Sequence, residues 1–220
     1  MPARTTRSDE ALRKAVLGAA LARATPFSEK LLAEAGNDTA IGSGERARLF
    51  PEGVASLIAF YSLEVDRELE ERLAALDLSA MSVRKRISTA VLTRVAILKP
   101  HKDTARRAAA HLSLPPNLAL AARLVCHTVD TMWRATGDLS TDFNFYSKRA
   151  ILAGVYTATL MRWFSDPDEH ATEAFLAARI ENVLQFEKLK ARMRKQAAKG
   201  YDRFAEMLRA VRRRPERNAS

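Results

Sequence analysis

Asp142, Phe145, Tyr146 and Arg149 stand at i, i+3, i+4 and i+7 in the run GDLSTDFNFYSKR, the spacing that sets four side chains on one face of a helix. The guanidinium fork of Arg149 suits phosphate or carbonyl oxygens. Behind it the stripe continues as Leu152, Tyr156, Leu160 and Trp163, with Val125 of the preceding segment assigned to the same lane. A cation ahead of an apolar lane is the chemistry of a slot for a molecule with a polar head and an oily tail. The same spacing equally describes a capped core helix with an Asp142–Arg149 ion pair near its first turns, and periodicity leaves both readings open.

Few other residues have the types or spacing for chemistry. No Gly-rich phosphate loop, G-x-S-x-G elbow or H-E-x-x-H motif is present. His101, His111 and His170 are scattered, and Cys126, His127 and Asp130 form the one cluster of metal-ligand types. Neighbouring ligands point to different sides of a helix, so these are read as core positions. No catalytic residue, metal or cofactor is expected.

The elements that position these residues are helices. Apolar residues recur every three or four positions, as in Val54, Leu57, Ile58, Tyr61, Val65 and Leu69, and again in Val83, Ile87, Val91, Val95 and Leu98. Strand alternation is absent, and Pro and Gly fall mostly between the periodic segments. The pattern predicts helices over 8–23, 27–35, 43–49, 53–75, 80–99, 102–112, 115–135, 140–164, 168–187 and 188–213. Gly137 closes one helix, Ser140 or Thr141 caps the next, and Asp142 complements its dipole. Across from the lane, Ala150, Ala153, Gly154, Thr157 and Ala158 are small enough to admit a neighbouring helix. Short helices followed by a long one and five or six more match the layout of an all-α, tetracycline-repressor-like fold. We therefore expect a helix-turn-helix-like subdomain at 1–52, a helical core at 53–187 and a basic amphipathic helix with its tail at 188–220.

Charge divides the chain in the same places. Of the formal net charge of +10, the segment from Lys188 to Arg217 carries +9, leaving +1 for the rest. From Phe27 to Ala55, three bases face five acids, a balance that repels a phosphate backbone where a helix-turn-helix would read DNA. No nucleic-acid partner is expected, and a ligand-responsive transcription regulator is the alternative reading. In the basic segment Leu189, Met193, Phe204, Leu208 and Val211 form an apolar stripe among bases such as Lys195, Lys199 and Arg212, a pattern suited to an anionic membrane surface. The first residues, MPARTTRSDEALRK, resemble neither a secretory signal nor an acid-poor transit peptide. A single cysteine fits a reducing compartment.

Three stretches carry a family resemblance: LFPEGVASLIAFY, ILKPHKDTARRAAAHLSLPPNLALAARL and DTMWRATGDLSTDFNFYSKRAILAGVYTATLMRWFSD. They resemble the coenzyme Q biosynthesis protein nine family of ubiquinone-pathway accessory proteins. The resemblance implies a tetracycline-repressor-like fold without DNA binding and a homodimer. It also implies an isoprenoid lipid or phospholipid held in the helical core, with demethoxyubiquinone hydroxylase as partner. It places Asp142, Phe145, Tyr146 and Arg149 in the partner-binding patch, with Arg149 also near a lipid head group. Phe145 stands where the family commonly has tryptophan, keeping an apolar anchor and losing an indole donor. The implied location is peripheral: the cytoplasmic side of a bacterial inner membrane, or the mitochondrial matrix side in a eukaryote.

Overall fold

The computed structural model describes residues 3–23, 25–137, 143–166, 168, 170–183 and 185, without the side chains of 3–8 and 143–145. The described residues are helical with short connections and contain no strand. The chain is all-α. The helices are α1 (Ala3–Ala22), α2 (Glu29–Asp38), α3 (Ser43–Leu49), α4 (Val54–Ala74), α5 (Val83–Leu98), α6 (Lys102–Leu112), α7 (Leu118–Ala135) and α8 (Phe143–Ser165). Single 3-10 turns, Lys99–His101 and Pro115–Asn117, lead into α6 and α7. Each has a proline in its first turn, where the missing N–H costs nothing. One compact unit runs to Ala177 and a second begins at Ala178; residues 170–183 are helical. The predicted helix over 188–213 and the residues expected on it to meet a membrane, Leu189, Met193, Lys195, Lys199, Phe204, Leu208, Val211 and Arg212, lie outside the described residues.

Local chemistry sets the helix starts. The Ser28 side chain accepts from Leu31 N at 3.2 Å and that of Ser82 from Lys85 N at 3.3 Å, each satisfying an otherwise orphaned N–H. The start of α4 is capped from a distance, with Glu29 Oε1 accepting from Val54 N at 2.8 Å. Gly53, just before it, has φ 57° and ψ −132°, a conformation left almost entirely to glycine. A Cβ there would lie 2.3 Å from Glu29 Oε1.

α1 packs on α2, and α4 packs on both α5 and α7, with α8 against α7. Leu57, Leu69, Val91, Val129, Met132 and Trp163 of these helices are fully buried or nearly so. Several bases of this N-terminal stretch are engaged by acids. Arg23 bonds Asp38 and Glu34, and Arg48 bonds Asp9 while also pairing with Glu45. The Arg48 guanidinium holds the Asp9 carboxyl below the usual carboxylate range.

Candidate functional site: an apolar cavity with a polar floor

Helices α4 to α8 enclose a cavity of about 790 Å³, within the size range of small-molecule sites. Its buried walls include Ile58 and Tyr61 of α4, Leu98 of α5, Ala105 and Ala108 of α6, and Leu124 of α7. α8 contributes one face in an i, i+4, i+8 register: Tyr156, Leu160 and Phe164, flanked by Thr157, Met161 and Ser165. The exposed rim carries Leu118, Met161 and Arg106. Leu118 is 54% exposed and Met161 45%, so the opening is edged with apolar surface.

At the buried end four helices meet in a hydrogen-bonded cluster. Arg94 of α5 is 4% exposed and Asp66 of α4 is 1% exposed. Arg94 Nε donates to Asp66 Oδ1 at 2.8 Å, while its Nη groups donate to the Tyr156 hydroxyl and to Ser62 Oγ at 3.1 Å. Asp66 also accepts from Thr128 Oγ1 at 2.9 Å and lies 3.1 Å from His127 Nδ1. The guanidinium also lies over the Tyr156 ring, 5.3 Å from its centroid. A buried charge persists only when paired and hydrogen-bonded in this way.

Tyr61 borders the same end. It is 6% exposed, its ring stacks on Phe27, and its hydroxyl has no hydrogen-bond partner among the described residues. Burial pushes its phenol up to about 12, against the opposing influence of the Arg94 charge. The Tyr156 phenol is also raised by burial, again opposed by Arg94. Both remain neutral at physiological pH.

Val125, Tyr156 and Leu160 line the cavity. Leu152 and Trp163 are buried, 3% and 1% exposed, and do not line it. The cavity face follows strict i+4 steps from Tyr156, so Phe164 takes the wall position expected of Trp163. Trp163 instead packs beside Lys102, whose Nζ lies 4.9 Å from the ring centroid. Arg149 is not at the cavity either. Its Nε donates to Asp130 Oδ1 at 2.7 Å, because the start of α8 lies against the end of α7, two turns before the cavity begins.

Of the proposed partner patch, Tyr146 is 72% exposed and Lys148 beside it lies over Trp133. Asp142 and the Phe145 side chain lie outside the described residues. Cys126, expected in the core, is exposed. His127 turns to Asp66 and Asp130 to Arg149 and Arg134, so these three do not converge on a common point. The small residues opposite the lane are not covered by a described helix at Gly154, where a Cβ would meet nothing within 4 Å.

Sequence reasoning missed Tyr61, Asp66, Arg94 and Thr128. A signal for two of them exists: Asp66 follows Ser62 by four residues beside the α4 apolar stripe, and Arg94 stands four residues from both Ala90 and Leu98. A charged side chain in a core register is a mark of a buried network.

Comparison with known proteins gives one consistent result. The COQ9 family model matches residues 118–187, which span α7, α8 and the helical stretch after them. The chain is 32% identical over 187 residues to the human protein named "Ubiquinone biosynthesis protein COQ9, mitochondrial", covering 80% of this chain and 59% of that one. The rat protein of the same name is 31% identical over 187 residues, covering 80% and 60%. A Dictyostelium discoideum protein named "Probable ubiquinone biosynthesis protein coq9, mitochondrial" is 29% identical over 115 residues, 51% of this chain and 38% of that one. The chain thus spans about three fifths of the length of the mammalian relatives it matches.

Proposed function

From the premise that the chain belongs to the COQ9 family, we propose that it serves ubiquinone biosynthesis as a lipid-binding accessory protein. It holds an isoprenoid quinone intermediate or a phospholipid in the cavity and presents the quinone to demethoxyubiquinone hydroxylase at a membrane surface. The carrying observation is the cavity of about 790 Å³, open at an apolar rim and walled mainly by aliphatic and aromatic side chains. A space of that size lined in that way gains free energy by removing an oily chain from water, at roughly 25 cal/mol per Å² of apolar surface buried.

The role is one of binding. The charged groups at the cavity's buried end are occupied with one another, Arg94 and Asp66 offsetting each other's charge. No helix among the described residues is long and apolar enough to cross a membrane, so contact with a bilayer is peripheral in this reading. The basic segment from Lys188 supplies the attraction to anionic lipid. Tyr146 and Arg149 belong to the face assigned to the hydroxylase, and a homodimer is the assembly in which the protein works.

Native mass spectrometry of the purified protein, followed by organic extraction, tests the reading. We expect a prenylated quinone or phospholipid bound at about one per chain. A ligand-free protein that also takes up no added alkylbenzoquinone would overturn it.

A further inference from the structure

Among the described residues that line the cavity, one buried side-chain polar atom has no hydrogen-bond partner. Tyr61 is 6% exposed, lines the cavity, and carries a hydroxyl with no partner among the described residues. Leaving a buried hydroxyl unsatisfied is costly, and such a group marks a place where something else supplies the partner. Its surroundings fix what that partner is. The Arg94 guanidinium is matched by the Asp66 carboxylate at 2.8 Å and by two neutral oxygens, from Tyr156 and Ser62. Among the described residues, this end of the cavity therefore has no uncompensated cation with which to bind an anion. The other arginine of the lining, Arg106, stands at the exposed rim beside Asp103.

We propose that the Tyr61 hydroxyl donates a hydrogen bond to a neutral carbonyl oxygen of the bound lipid, so that the ligand's oxygenated part sits at the buried end and phosphate is excluded from it. Resting on the lipid-binding reading above, this names the recognition element of the site. Tyr61 acts as a specificity residue. It adds little to the affinity for hydrocarbon and separates carbonyl-bearing lipids from those that lack the group. The carbonyl belongs to a quinone ring or to an acyl ester, and the two share this chemistry.

Binding of four probes with ten-carbon chains to full-length wild-type and Tyr61→Phe proteins tests the assignment. The probes are decylbenzoquinone, a decanoyl ester, decylbenzene and decyl phosphate. Phe keeps the ring that stacks on Phe27 and removes only an unpartnered hydroxyl, so the variant should melt no lower than wild type. We expect decylbenzoquinone to bind the variant about 2- to 12-fold more weakly, the range of one neutral hydrogen bond, with decylbenzene unchanged. The C=O stretch of the bound quinone should shift to lower frequency in wild type and lose that shift in the variant. A matching loss for the ester identifies any carbonyl lipid as the ligand class, and a loss confined to the quinone narrows it to quinones. Equal affinities of both proteins for every carbonyl probe would overturn the proposal, as would an equal loss for decylbenzene or a Tyr61-dependent gain for decyl phosphate. Failure of all four probes to bind wild type would overturn the lipid-binding reading as well.

Discussion

Replacing Asp66 by Asn tests whether the cluster at the cavity floor holds the bundle together as a charge-matched unit. The change keeps shape and one acceptor oxygen and removes a single negative charge. Arg94, 4% exposed, is then left with only neutral partners in Tyr156 and Ser62. Breaking a buried ion pair from one side typically costs about 3 to 5 kcal/mol. The retained acceptor offsets roughly 1 kcal/mol of that, so we expect a loss of about 2 to 4 kcal/mol. For a chain of this size, 1 kcal/mol corresponds to roughly 2 to 4 °C, so melting should fall by about 4 to 16 °C. Urea denaturation followed by circular dichroism measures the free energy directly. The double change Asp66→Leu with Arg94→Met removes both charges, and we expect it to be more stable than Asp66→Asn alone, since apolar pairs often replace buried ion pairs at little cost. An Asp66→Asn protein within about 2 °C of wild type would refute the reasoning. So would a double variant whose loss equals the sum of its two single losses, because the pair would then not be coupled.

Two further outcomes follow from geometry already given. Gly53→Ala should destabilise by about 2 kcal/mol or more in urea melts, combining a glycine-only backbone conformation with displacement of the Glu29 cap; a loss under about 0.5 kcal/mol would contradict this. The Tyr61 phenol is raised from 10.0 to about 12 in the folded chain, so the folded state keeps its proton across a window where the unfolded state has lost it. Stability is therefore unaffected by this group below pH 10 and falls as pH rises toward 12, by about 2.7 kcal/mol at most. Tyr61→Phe should lack this component, and parallel alkaline stability curves for the two proteins would refute it.

The helices were legible because each carries its own repeating signal. The pattern over 80–99 lies on α5, Val83–Leu98, and that over 102–112 coincides with α6. Part of the cavity wall on α8 was legible too, since Tyr156 and Leu160 belong to a periodic stripe. The stripe was carried one residue astray at its end, to Trp163 in place of Phe164, because both are large aromatics and spacing alone does not say which faces a void. The floor of the cavity was harder to see. Arg94 lies 28 residues from Asp66 and 62 from Tyr156, and taken singly each resembles a polar residue on a solvated helix face. Arg149 shows the same difficulty: its carboxylate partner Asp130 comes from the preceding helix, 19 residues away. Interactions between helices leave no periodic trace in the sequence of either one.

The cluster that joins α4, α5, α7 and α8 has a consequence for how this body comes apart. Any subset of those helices leaves part of the cluster unmatched: without α4 the guanidinium has no carboxylate, and without α5 the carboxylate has no guanidinium. In a partly assembled bundle such groups must either return to water, opening the apolar packing around them, or remain buried at high cost. Intermediate assemblies are therefore raised in free energy relative to both the complete bundle and the unfolded chain. The four helices should gain and lose their structure together, so the cavity they enclose is either present as a whole or absent.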